Sequence, residues 1–196
     1  MSFIRNLFAL IGLAVVAGVI WLGIQYGPVF ETLRGFDGQA LDTYMQMGRR
    51  LLETGNAAEA TVWKVKVNEG LSPDDVEEVM KFVANEHNFK NVGADLPLYK
   101  EVEAMSGKPY RFVKIYMFCN ALTAARMLDY SDAFSAYLPC RITMIRDPDG
   151  QLWLYTLDLA LMIYGGKPLP AELKEEAIGV RTIILDILNR AAGGEF

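Results

Sequence analysis

The chain has 196 residues, 52% hydrophobic and 22% charged, a length that fits one ordinary domain with an appendage and a composition too apolar for a disordered chain. Lys and Arg number 19 against 24 Asp and Glu, leaving a net charge of −5; that is the wrong sign for a phosphate-tracking protein and argues against nucleic acid as a partner. One His and two Cys exclude zinc frameworks, multi-haem patterns and a disulfide-dense mini-fold.

No charged residue occurs from Asn6 to Phe30, and Leu7–Ile24, LFALIGLAVVAGVIWLGI, is the densest apolar stretch. About 20 helical residues at ~1.5 Å each cross a hydrocarbon core of about 30 Å. Residues 1–30 therefore read as a transmembrane anchor, with the lipid bilayer as its first partner. Trp21 and Tyr26 lie toward its far end, where amphipathic rings favour the headgroups, and Gly27-Pro28 is expected to end the span. A cleaved signal peptide has an apolar region of about 7–15 residues and a small-residue exit. Here the run is longer and Ile20, Trp21, Leu22 and Ile24 occupy the exit, so the segment reads as an uncleaved signal anchor. The amino terminus and Arg5 precede the span; Glu31, Arg34, Asp37 and Asp42 follow it. That balance predicts a single pass through a bacterial inner membrane, N-terminus in the cytoplasm and C-terminal domain in the periplasm. Ala14-x-x-x-Gly18 and Gly23-x-x-x-Gly27 set small residues one turn apart, spacing that admits close contact with another helix. Small residues are also common in membrane helices that have no partner.

Residues 31–59 read as a linker followed by a juxtamembrane helix, with Ala40, Leu41, Tyr44, Met45, Met47, Leu51 and Leu52 at near-helical spacing and Gly55-Asn56 as the stop. A stalk and a docking helix both fit. Residues 60–196 form the extramembrane domain. Thr61–Val67, TVWKVKV, alternates as a half-buried strand, with Trp63, Val65 and Val67 on one side. Ser72-Pro73-Asp74-Asp75 opens a helix with Ser72 as N-cap, Pro73 at the first helical position and Asp75 at the third. Val76, Val79, Met80 and Val83 share one face, and the helix ends near His87-Asn88. Asn91–Leu96 is expected as a short strand ended by Pro97, and Ser106–Pro109 as a turn. Arg111–Cys119 is a strand and Ala121–Leu128 a short helix. Cys140–Asp147 and Gln151–Asp158 flank Asp147-Pro148-Asp149-Gly150 as a hairpin. After a loop with Gly165-Gly166, a final helix runs from about Pro170 to Arg190 with Leu173, Ala177, Val180, Ile184, Ile187 and Leu188 inward. The order predicts an α+β domain: one antiparallel sheet with helices packed on one face.

Phe118-Cys119-Asn120-Ala121, Leu138-Pro139-Cys140-Arg141 and Asp149-Gly150-Gln151-Leu152-Trp153-Leu154-Tyr155 resemble, in order, three motifs of the bacterial and archaeal family called domain of unknown function 302. The likeness extends over about residues 60–193. It implies a TATA-binding-protein-like α+β fold, often dimeric, and no established reaction; a homodimer is thus one expected assembly. The family's first motif is Gly-Asn-Pro, and here Cys119 and Ala121 replace its Gly and Pro.

Cys119 closes one strand and Cys140 opens the next. If those strands are antiparallel neighbours, both cysteines lie at one sheet end. A disulfide closing a loop of about 20 residues, worth roughly 3 kcal/mol, and two buried free thiols both fit. Asn120 between them marks a candidate ligand loop. Met117 and Met144 share strand faces with these cysteines and would be soft Cu(I) ligands, although Met on a sheet face is ordinarily core. His87 takes no role beyond the surface or a helix end. Acidic runs at Asp74–Glu78 and Glu172–Glu176 open helices, where the dipole accounts for them. Asp147 and Asp149 suit turn chemistry. With no nucleophile beside a base, no phosphate loop and no dinucleotide fingerprint, we assign no catalytic, cofactor-binding or metal-binding residue and no cofactor. The expected function is a non-enzymatic, membrane-anchored accessory subunit that docks on other membrane-protein subunits in a larger complex, for which a respiratory complex is a natural host. The alternative is a periplasmic domain that binds a small ligand or metal or works in redox chemistry.

Overall fold

The computed structural model describes residues 2–196. A long helix, α1 (Ser2–Arg34), comes first. Its most apolar 18-residue stretch has mean hydropathy 2.6, and none of that stretch is buried against the other described residues. It is long and apolar enough to cross a membrane. The helix does not stop at Gly27-Pro28 but runs through Pro28 to Arg34. Proline has a helical φ and forfeits only its own amide; Thr32 Oγ1 donates back to the Pro28 carbonyl at 2.9 Å, and no other breaker intervenes before Gly35. Residues 31–34 are therefore helix, and the linker shrinks to residues 35–39.

The helix α2 (Ala40–Thr54) follows and ends at Gly55, whose left-handed φ of 64° returns its amide to the Leu51 carbonyl. One helical turn, α3 (Ala57–Ala60), is capped by Asn56 and leads into β1 (Val62–Lys66). α4 (Pro73–Glu86) opens with the expected capping box: Ser72 Oγ accepts from the Asp75 amide, and the Asp75 carboxylate accepts from the Ser72 amide. β2 is only Lys90–Asn91. Leu96 makes an isolated bridge to Ile115, and Pro97 precedes a helix, α5 (Leu98–Ser106). The expected strand over residues 91–96 is thus reduced to its two ends. β3 (Val113–Cys119), α6 (Ala121–Tyr130), a 3₁₀ turn (Asp132–Ala136), β4 (Cys140–Arg146), β5 (Leu152–Leu157), α7 (Ala160–Tyr164) and α8 (Ala171–Gly193) complete the chain.

The five strands form one antiparallel sheet in the order β1-β5-β4-β3-β2. Successive side chains alternate across a sheet. Tyr116, Phe118, Ile142, Met144, Leu152 and Leu154 all fall on one face and are buried there with Val76, Val79, Met80 and Val83 of α4 and Ile184, Ile187 and Leu188 of α8. This is the α+β architecture the pattern predicts. A second, smaller core lies beyond the sheet end, where Met127 of α6, Ile163 and Tyr164 of α7 and Leu173 and Ala177 of α8 meet. α8 runs under both. The C-terminal end of α4 is tied to it by His87, whose Nε2 lies 2.7 Å from Asp186 Oδ2, and by Arg190, 2.6 Å from Glu86.

Candidate functional site

Three places concentrate polar or reactive groups. The first is the elbow between α1 and α2. Asp37 is only 6% exposed. Its carboxylate accepts from the Lys174 ammonium of α8 and from the Gln39 amide at 3.0 Å. These bonds, Lys174 first, hold its pKa below the ordinary 3.8. The Asp37 amide donates to the Gly166 carbonyl at 2.8 Å. Within α2, the Tyr44 hydroxyl donates to the Gly165 carbonyl at 2.7 Å. Two turns further, Arg50 pairs with Asp158 at 2.9 Å. Gly165 is required by space: a Cβ there would stand 2.3 Å from the Leu161 carbonyl oxygen. α2 is therefore a docking helix held against α7 and its flanking residues, with the elbow before it tied to α8, not a stalk. Sequence reading missed Asp37 and Lys174 because 137 positions separate them.

The second place is an apolar cavity of about 50 Å³ between the two cores, lined among others by Phe89, Met127, Phe134, Leu159, Ile163 and Val180. Cys119, Asn120 and Cys140 also line it, so the three residues marked in the sequence do converge. The register sets Cys140 opposite Phe118. Cys119 is one position further along and leaves the other face of the pleat, so the cysteines share a sheet end without facing each other. Both are free thiols in this structure. Burial pushes both pKa values up, Cys140 to about 11 with the neighbouring Cys119 adding to the effect, which makes them poor nucleophiles. Asn120 is committed locally: its Oδ1 accepts from the Leu122 and Thr123 amides and caps α6. Met144 is fully buried in the main core and Met117 is on the outer sheet face beside Gly93. Neither lines the cavity, so the Cu(I) set imagined from them is not assembled. Met127 and Met162 line it instead.

The third place is a polar cluster that pattern reading underrated. Lys114 shares the inward phase of β3 with Tyr116 and Phe118, and a lysine on a core face demands a carboxylate. Glu77 of α4 supplies it. Lys114 Nζ donates to Glu77 Oε2 at 2.5 Å, the Tyr116 hydroxyl at 2.7 Å, and Lys81 donates to Oε1 at 2.6 Å and on to Asp95 at 2.9 Å. Burial alone would raise the Glu77 carboxyl, but the bonds from Lys114, Lys81 and Tyr116 outweigh it and hold it at about 2. Burial, then the Glu77 bond, pushes the Tyr116 phenol upward, so it stays protonated as a donor. Two cations balance two carboxylates, and each oxygen of Glu77 and Asp95 accepts a bond, while Asn91 Oδ1 beside them is buried without a partner. The arrangement fastens α4 to β3, and Glu77 owes its place to Lys114 more than to the helix dipole.

The small residues of α1 face none of the other described residues: nothing among them lies within 4 Å of where a Cβ would stand at Gly18, Gly23 or Gly27, and Ala14 is exposed as well.

A family model described as domain of unknown function DUF302 matches residues 63–191. No curated protein matches the chain in sequence. Among solved structures, the crystal structure of an uncharacterized conserved DUF302 protein from Bacillus stearothermophilus superposes with a TM-score of 0.56 at 17% identity, covering 67% of this chain and 98% of that one. At that identity the likeness speaks for the fold alone.

Proposed function

The chain belongs to the DUF302 family, and from its own geometry we propose that it is a non-enzymatic, membrane-anchored docking subunit. In this reading α1 crosses a bacterial inner membrane once, with its N-terminus in the cytoplasm, and holds the domain at the periplasmic surface beside other membrane-protein subunits. One observation carries the proposal: a wholly uncovered apolar helix leads within five residues into an elbow fastened to the domain by Asp37, Tyr44 and Arg50. A protein that needs only to stay near a membrane needs no fastening. A fixed angle between helix and domain is useful when the domain must meet a neighbour in one orientation. The open faces at Ala14/Gly18 and Gly23/Gly27 give such neighbours room to approach. Tagged chain extracted from native membranes in mild detergent should bring down a defined set of membrane subunits at constant stoichiometry by mass spectrometry. Recovery of the chain alone under conditions that preserve other complexes would refute the proposal.

A second reading rests on the cavity. An apolar space lined by Cys119, Cys140 and Met127 suits a small apolar ligand, since dry apolar cavities accept such groups. A stoichiometric organic molecule extracted from purified protein would favour it; extracts without one would remove it.

A further inference from the structure

We propose that α2 lies in the headgroup boundary of the bilayer, with Leu41, Met45 and Leu52 dipping toward the acyl chains. This rests on the reading that α1 spans the membrane. These three side chains are 74%, 60% and 88% exposed. At about 100° per residue they fall within roughly 40° of one another. Gly48 lies in the same stripe and adds no polar group to it. The face that α2 turns to the domain is different: Ala40 is buried, Tyr44 bonds to Gly165 and Arg50 to Asp158, roughly a third of a turn away. On its other flank the stripe is bordered by Asp42, Arg49 and Glu53. An apolar stripe beside a charged row is the pattern of a helix lying in a membrane surface.

Lipid is singled out as the occupant by continuity with α1. Five residues, Gly35–Gln39, separate the helices, and they fold into turns, with the Gly35 and Phe36 amides donating to Thr32 and Leu33 at 3.1 Å and the Ala40 amide to Asp37 at 2.9 Å. Phe30 and Leu33 at the end of α1 are exposed too, so apolar surface continues from the span into α2. The docking of α2 by Asp37, Tyr44 and Arg50 stops the helix from rolling this stripe inward. Positive and negative side chains are mixed along its border, so apolar contact rather than charge holds it down.

The test uses the full chain in phosphatidylcholine nanodiscs. Single cysteines bearing an environment-sensitive fluorophore are placed by Leu41→Cys, Met45→Cys, Leu52→Cys, Asp42→Cys, Gln46→Cys and Val15→Cys in a Cys119→Ala/Cys140→Ala background. Aqueous iodide should quench the probe at 41, 45 and 52 several-fold less than at 42 and 46. Equal quenching at all five α2 positions, with position 15 shielded, would overturn the inference and leave the anchor standing. Quenching at position 15 as well would refute the span and the inference with it. A second measurement needs no variant: photoactivatable phosphatidylcholine should crosslink the wild-type tryptic peptide Gly35–Arg49, and absence of that adduct beside adducts on α1 would count against the inference.

Discussion

Replacing Lys174 with Met should loosen α2 from the domain while leaving the sheet intact. The Asp37 side chain is 4% exposed and that of Lys174 27%. Removing one partner of a fully buried pair costs about 3–5 kcal/mol; with Lys174 partly solvated and the Gln39 amide still bonded to Asp37, about 2–3 kcal/mol is the reasonable share. At roughly 1.4 kcal/mol per tenfold, that raises the population of undocked α2 by roughly 30- to 150-fold. Amide exchange across residues 40–54 of the full chain in nanodiscs reads this directly, with α4 and α8 as internal controls. The pH dependence adds a second signature. The folded pKa of Asp37 lies below 3.8, chiefly through Lys174. Its stabilising contribution is therefore complete above about pH 4 and is lost as pH falls through the folded value. Wild-type α2 should lose protection on acidification through that range. In Lys174→Met the carboxylate has lost its charged partner, so protonation relieves a penalty and the gap from wild type should narrow. Unchanged α2 exchange in the variant at neutral pH would refute the view that this pair fixes the elbow.

Gly165→Ala should cost about 1–3 kcal/mol, because its Cβ would stand 2.3 Å from the Leu161 carbonyl oxygen; thermal unfolding checks this, and a neutral result would mean that α7 can shift freely. At pH 8 native Cys119 and Cys140 should alkylate far more slowly than in urea, since burial raises both pKa values, and both should label fully in urea without reductant. Failure to label unreduced, unfolded chain would reveal a disulfide. Gly18→Leu should preserve membrane localisation while reducing recovery of partner subunits, because the added bulk stands where a neighbouring backbone must approach. Unchanged co-purification for both Gly18→Leu and Gly23→Leu, a face rotated by roughly 140°, would make the span a passive tether.

Elements with strong periodicity or explicit punctuation could be read directly from the chain. The Ser72–Asp75 capping box, the Val76/Val79/Met80/Val83 face, the Asp147–Gly150 hairpin and the inward row of α8 are all present as read. The hairpin shows why. Asp147 Oδ1 accepts from the Asp149 and Gln151 amides at 3.0 and 2.8 Å, local bonds that a local motif can encode. Short helices escaped for the opposite reason. α5 buries no residue and α7 has five residues, so neither carries enough period to be distinguished from loop. The convergence of Cys119, Asn120 and Cys140 was accessible, since strand ends on neighbouring strands must meet. Their offset by one position depends on a register that the intervening loop does not announce. The elbow was the least legible feature, because Asp37 looks like any linker acid until α8 brings Lys174 to it.

The docking role requires α1 to cross the bilayer with the domain on the outer side. Alkaline phosphatase fused after Phe196, compared with green fluorescent protein at the same site in bacterial cells, measures this most directly. An active phosphatase and a dark fluorescent fusion are expected, both in the membrane fraction. An inactive phosphatase with a bright fluorescent fusion would contradict the account and place the domain in the cytoplasm.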